Sequence, residues 1–229
     1  MMPRRKFNPI LLPERPNLDF EDALWRKGIA RVAGVDEAGR GALAGPVAAG
    51  AVVLPHDQTD LMLILSGVRD SKVMSAPARE IWARTIKMVA LAWGVGMASP
   101  DEIDAIGIVP ATCLAVARAL ANLEISPQHV LVDYLSLPEV KMPQTPLVKG
   151  DARSLSIAAA AILAKTARDA ELVQLDQSFP GYSFAKNKGY GTAAHRQAIA
   201  TRGPCSQHRR TFSPVSAYDS FFPPQIETN

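Results

Sequence analysis

Residues 32–54 read VAGVDEAGRGALAGPVAAGAVVL, and this stretch decides the fold class. The apolar run 32–36 has the character of a buried strand and stops at two adjacent acids, Asp36 and Glu37. A glycine-rich loop over 38–45 follows, and a β-branched run over 47–54 returns, so the pair suggests a hairpin. The spacing from Gly39 to Ala44 also fits the dinucleotide pattern GxGxxA, which needs a crossover helix after the loop. Here Gly45-Pro46 and a β-branched run take the helix's place, and two acids would stand beside the pyrophosphate. No Gly-Lys-Ser/Thr follows, so a Walker-type phosphate loop is excluded too. The glycines can instead let backbone approach a ligand closely, with the Arg40 guanidinium offered to a phosphate; the plainer reading is a tight loop with a solvated arginine.

Outward from this stretch, apolar residues recur at helical spacing over 76–89, and residues 90–97 read as a third strand. Ser99-Pro100-Asp101-Glu102 is a helix start, and an alanine-rich helix is expected over 111–123. Short strands are expected at 130–133 and 147–148, then a long helix over 154–174 whose alanines let it lie close against a sheet. A glycine turn at Gly189-Tyr190-Gly191 precedes a short helix over 192–201 and a proline-bearing tail. A hairpin followed by strands alternating with helices indicates an α/β fold: a mixed sheet flanked by helices, with a small C-terminal helical extension. Residues 1–28, basic and proline-rich, are expected to be a loosely docked arm, with order beginning near Arg31. One domain is expected over 29–217, its basic helical segment at about 181–217, with a tail at 218–229.

With 229 residues, 48% hydrophobic and 21% charged, the chain has material for a sizeable core and does not read as disordered. Two cysteines, Cys113 and Cys205, without CxxC or Cys/His ligand spacing, exclude a disulfide scaffold and point to a reduced, cytoplasmic setting. The first residues are not expected to form a signal peptide, and no run reaches the roughly 18 apolar residues of a membrane span.

Chemistry is suggested by acids at three strand ends: Asp36 and Glu37, Asp133, and Asp151. Each alone has a bland explanation, since Asp favours turns and exposed ends. If the strands are neighbours, however, four carboxylates meet at one edge of the sheet and repel unless a cation neutralises them. Hard oxygen ligands suit Mg²⁺ or Mn²⁺. The formal charge of +3 is the sum of two unlike parts. Residues 178–217 hold Lys186, Lys188, Arg196, Arg202, Arg209 and Arg210 without one acid, while the other 19 basic and 22 acidic residues leave −3. With Tyr182, Phe184, Tyr190, His195 and His208 interleaved, the stretch has the composition of a surface that follows a phosphate backbone and stacks on sugars or bases.

The motifs are familiar in their order: Val35-Asp36-Glu37-Ala38-Gly39-Arg40-Gly41 through Gly45-Pro46-Val47, Asp70-Ser71-Lys72, and Lys149-Gly150-Asp151 with Ser156-Ile157-Ala158-Ala159-Ala160. Ala164-Lys165, Arg168-Asp169 and Asn187-Lys188-Gly189-Tyr190-Gly191-Thr192 with His195 complete the set. Over residues 31–215 the chain resembles the bacterial ribonuclease HII family, of the type 2 ribonucleases H. The resemblance implies a ribonuclease H-like fold and cleavage of RNA in RNA/DNA hybrids. It also implies incision 5′ of ribonucleotides embedded in duplex DNA, leaving 3′-hydroxyl and 5′-phosphate ends, in ribonucleotide excision repair and DNA replication.

It further implies that Asp36, Glu37, Asp133 and Asp151 are metal-binding catalytic acids holding two Mg²⁺ or Mn²⁺ ions. Gly39, Arg40 and Gly41 would recognise the ribose 2′-hydroxyl, Tyr190 would pack on the next sugar, and Arg40, Lys72 and Lys165 would meet phosphates. The partners implied are RNA/DNA hybrid and ribonucleotide-containing duplex DNA, for a monomer without membrane attachment; recruitment by a replication clamp stays open. The chain departs from the family at Tyr134, where glycine usually follows the aspartate, at Val73-Met74, where Lys-Leu is common, and at Pro110. A bulky Tyr134 leaves open a nucleic-acid-binding protein with impaired catalysis, and a nuclease acting on DNA junctions is a third reading.

Overall fold

The computed structural model describes residues 12–218. Its strands are β1 (Val32–Ala38), β2 (Val47–Val53), β3 (Ala92–Ala98), β4 (His129–Asp133) and β5 (Gln144–Leu147), joined in one sheet ordered β3-β2-β1-β4-β5. The hairpin is antiparallel, from Ala33 opposite Val53 to Ala38 opposite Ala48, and β3 extends it antiparallel to β2. On the other side β4 and then β5 run parallel to β1, so the sheet is mixed, as the element order predicts.

The described helices are α1 (Asp19–Trp25), α2 (Leu61–Ile64), α3 (Ala76–Val89), α4 (Pro100–Ile106), α5 (Ile108–Ala121), α6 (Leu155–Ser178), α7 (Phe184–Asn187) and α8 (Ala193–Arg202). Ser75, Ser99, Ser154 and Thr192 cap α3, α4, α6 and α8 by accepting a backbone N–H, and Ser99 with Glu102 forms a full capping box. Helix α5 begins ahead of the expected residue 111 because Pro110 sits in its first turn, where a missing N–H costs no hydrogen bond.

Helix α5 covers one face of the sheet and α6 the other, with α3 packed on α6. Alternation along β2 makes this possible: Ala49, Ala51 and Val53 join Ala111, Ala115 and Ala119 of α5, whereas Val52 joins Ala159 and Ile162 of α6. Small residues bring helix backbone onto the sheet. A Cβ at Gly50 would lie 2.3 Å from the Ala160 carbonyl oxygen, and one at Gly34 only 2.2 Å from the Ser156 carbonyl carbon.

The stretch expected as a loosely docked arm includes α1, which is seated against the sheet; residues 1–11 and 219–229 lie outside the described residues. Phe20, Leu24 and Trp25 pack against Val32, Leu131, Leu147 and Ile157, and Asn17 exchanges backbone hydrogen bonds with Arg153 and Leu155. Glu21 is fully buried, and its Oε1 accepts from Ser154 Oγ, Ser156 N and Ser156 Oγ at 2.6, 2.9 and 2.5 Å. An apolar helix face and a carboxyl group at the N-terminus of α6 thus supply contacts that the basic, proline-rich composition does not reveal.

Candidate active site

The parallel register of β1 and β4 places Val35 beside Val132, so the residues that follow, Asp36 and Asp133, stand side by side where that pairing ends, Asp36 still paired with Gly50 of β2 and Asp133 with Leu147 of β5. Strand β5 pairs Leu147 with Asp133 and leads into a 3-10 turn, Gly150–Ala152, that brings in Asp151. Oxygen atoms of Asp36, Asp133 and Asp151 lie within 4.8 Å of one another. The backbone fixes two of these groups directly. The Glu37 N–H donates to Asp36 Oδ1 at 2.7 Å, and the Gly150 N–H donates to Asp133 Oδ1 at 2.7 Å.

Such a cluster is electrostatically uncomfortable without a cation. Burial, then the charges of Glu37, Asp133 and Asp151, push Asp36 well above the usual carboxylate range. Burial is also the chief cause for Asp133, pushed up to about 6, where the Gly150 hydrogen bond opposes it and Asp151 adds to it. Glu37 stands outside the three-carboxylate group: burial raises it, while Arg40, at 3.2 Å from Glu37 Oε1, and Lys72 counter the rise. Burial disfavours the charge on Lys72, yet Asp151, Asp36, Asp70 and Asp133 hold its pKa above the ordinary lysine value.

A cleft of about 490 Å³ opens here, lined by Asp36, Glu37, Gly39, Arg40, Gly41, Ser71, Lys72, Asp133, Lys165 and Tyr190. Of the ten residues to which the resemblance gives catalytic or substrate-binding roles, only Asp151 is not part of this lining, and it joins through Asp36, Asp133 and the Lys72 Nζ, 3.6 Å away. Lys165 Nζ is 2.6 Å from Asp169 Oδ1 and 5.8 Å from the centre of the Tyr190 ring. Tyr134 is absent from the lining; its side chain is 58% exposed and its backbone N–H donates to the Leu147 carbonyl, so it leaves the carboxylates in register.

Three arginines shape the cleft without lining it. Arg209, which by composition belongs to a phosphate-facing surface, is 0% exposed and donates to the carbonyls of Gly39, Arg40 and Gly45. Arg168, equally buried, donates to Pro46, Ala44 and Lys188, tying the Gly39–Gly41 loop region to the segment that bears Tyr190. Arg79 reaches the carbonyls of Ser71 and Met74 and pairs with Asp169 at 2.9 Å, which anchors the Lys72 loop to α6. The interleaved aromatics need the same correction: Tyr182, Phe184, His195 and His208 are buried and pack on one another, leaving Tyr190 as the exposed ring of the group. Their apolar area is worth more inside than against solvent.

The family model for ribonuclease HII matches residues 33–215. Ribonuclease HII of Moorella thermoacetica is 53% identical over 193 residues, covering 84% of this chain and 91% of that protein. Ribonuclease HII of a Synechococcus species is 52% identical over 203 residues, covering 88% and 90%. Among solved structures, ribonuclease H2 from Pyrococcus horikoshii superimposes with a TM-score of 0.70 at 26% identity, covering 84% of this chain and 98% of that one. With the hairpin, the parallel strand pair and the acids at their ends in place, the chain belongs to the ribonuclease HII family, hydrolase endonucleases of the ribonuclease H type.

Proposed function

We propose that the protein hydrolyses the RNA strand of RNA/DNA hybrids and cuts on the 5′ side of single ribonucleotides in duplex DNA, leaving 3′-hydroxyl and 5′-phosphate ends. The convergence of Asp36, Asp133 and Asp151 beside the cleft carries this reading. These acids, with Glu37, make a hard oxygen donor set that would hold two Mg²⁺ or Mn²⁺ ions. The raised pKa values of Asp36 and Asp133 support the fit, because a bound cation would offset both the burial and the mutual repulsion that raise them. When bound, the ions supply the Lewis acidity for in-line attack by water and for charge on the leaving 3′-oxygen.

The chain's own residues select and hold the substrate. Backbone groups of Gly39, Arg40 and Gly41 meet the ribose 2′-hydroxyl, the group that separates RNA from DNA. Arg40, Lys72 and Lys165 contact phosphates, and the Tyr190 ring packs on the sugar of the following deoxynucleotide. One domain, with α1 packed on its sheet, performs the reaction as a monomer in the cytoplasm; no described helix is long and apolar enough to cross a membrane. A binding protein without catalysis has less support, since Tyr134 stands outside the cleft.

The test is cleavage of end-labelled duplexes, with and without Mg²⁺: one with a single ribonucleotide, one RNA/DNA hybrid and one all-DNA junction. Mg²⁺-dependent cutting of the first two is expected, with loss of roughly 10³-fold in Asp36→Asn, the several kcal/mol of charge stabilisation that the ions contribute. Binding without cutting, or preference for the all-DNA junction, would overturn the reading.

A further inference from the structure

His195, on α8, and His208, in the segment after it, are buried at 0% and 1% exposed, with their Nε2 atoms 3.1 Å apart. Two facing ring nitrogens share a hydrogen bond only when one bears a proton and the other does not. The remaining contacts decide which. The backbone N–H of Cys205 donates to His208 Nδ1 at 3.0 Å, so that nitrogen offers its lone pair and the His208 proton sits on Nε2. His208 Nε2–H then donates to His195 Nε2. This puts the His195 proton on Nδ1, 3.0 Å from the Tyr190 carbonyl oxygen, which accepts it. The hydrogen bonds therefore run one way, from Cys205 through both imidazoles to Tyr190, and both rings are neutral.

The surroundings agree with that charge state. Tyr182 and Phe184 pack on the pair, with ring centres 4.8 Å from His208 and 5.4 Å from His195 respectively. The titratable or charged groups near it are Cys205, whose Sγ is 3.2 Å from His208 Nδ1, Tyr182, and Arg210, whose backbone N–H donates to Asp104. A second proton on either imidazole would set N–H against N–H in an apolar pocket.

The end of this relay is the backbone of the one exposed ring in the cluster. Tyr190 is 38% exposed, with its ring 5.5 Å from the Arg168 guanidinium, and the neighbouring Gly189 carbonyl accepts from Leu43 N–H and Ala44 N–H. We propose that His195 and His208 are positioning residues, a tautomer-locked imidazole pair that sets the Tyr190 ring for a ribonucleotide followed by a deoxynucleotide. This inference rests on the role given to Tyr190 above. The sugar after the cut ribonucleotide carries a 2′-hydroxyl in a continuous hybrid and none at a junction, so a misplaced ring penalises the junction substrate more.

Two measurements test it. Nitrogen-15 NMR of the wild-type imidazoles is expected to show His195 protonated on Nδ1 and His208 on Nε2, neither gaining a second proton at the ordinary histidine value. In steady-state kinetics, His195→Phe keeps a ring without nitrogens. It is expected to lower kcat/KM on the single-ribonucleotide duplex about tenfold more than on a long hybrid, the scale of one hydrogen bond. His195→Asn keeps a donor near the Nδ1 position and is expected to recover most of that loss. The opposite tautomers, titration near the ordinary histidine value, equal losses on both substrates, or Asn no better than Phe would each overturn the proposal. If the wild type cuts neither substrate, the functional reading fails, and the NMR spectrum still decides the state of the pair.

Discussion

Replacing Tyr134 with glycine is expected to stabilise the protein. Tyr134 follows the end of β4 with φ at 57°, in the left-handed region that costs an ordinary L-residue about 1–2 kcal/mol. The turn cannot relax cheaply, because the Tyr134 N–H donates to the Leu147 carbonyl at 2.9 Å and so ties β4 to β5. The side chain is 58% exposed, and its removal therefore forfeits little burial. Glycine also gives the unfolded chain more freedom, which takes back roughly 0.4–1 kcal/mol. The net gain is about 0.5–1 kcal/mol, or about 1–4 °C in Tm for a chain of this size. Differential scanning calorimetry reads it directly. Tyr134→Ala is the control: it loses the ring yet keeps the strained backbone, so it should melt about 1–4 °C below the glycine variant. A lower Tm for Tyr134→Gly than for wild type, or equal Tm for the glycine and alanine variants, would refute the reasoning.

Gly50→Ala places a Cβ 2.3 Å from the Ala160 carbonyl oxygen and must push α6 off the sheet; a loss of about 3 kcal/mol or more is expected in urea unfolding, and wild-type stability would contradict it. Burial raises the Glu21 pKa above 4.5, so the folded state keeps a proton that the unfolded chain releases, and this contribution is lost as pH rises toward the folded value. Glu21→Gln stays neutral, so its Tm relative to wild type should climb as pH rises above about 4.5; a flat difference would count against a protonated Glu21. Lys186 and Arg196 are exposed members of the basic stretch. Neutralising both should weaken binding to a hybrid and flatten the salt dependence by about 0.9 for each phosphate that is no longer neutralised, and an unchanged slope would remove the stretch from the binding surface.

The strand ends of the site are legible because each acid closes an apolar run, as Asp36 and Asp133 do, and the motif resemblance supplies their order. Their adjacency is not legible: they are 97 positions apart, and the pairing of Val35 with Val132 depends on the whole crossover between β1 and β4. Arg209 shows the limit most clearly. By composition it is one more basic residue in a run, yet its partners are the carbonyls of Gly39, Arg40 and Gly45, which only the folded chain brings to it. Tyr182, Phe184, His195 and His208 alternate with basic residues just as a nucleic-acid surface would, and nothing local distinguishes that from a small buried cluster. Helix α1 is hard to read because Phe20, Leu24 and Trp25 give only a short apolar face, while Glu21 looks like a solvated charge until Ser154 and Ser156 are set against it.

The central claim is that three strand ends assemble a cation site that performs phosphodiester cleavage, and Mn²⁺ anomalous diffraction from crystals grown with a ribonucleotide-containing duplex tests it most directly. Two peaks are expected, about 4 Å apart, with carboxylate oxygens of Asp36, Asp133 and Asp151 about 2.0–2.3 Å from them and the scissile phosphate between them. Peaks elsewhere, or an empty carboxylate cluster in crystals that hold the duplex and Mn²⁺, would contradict the account.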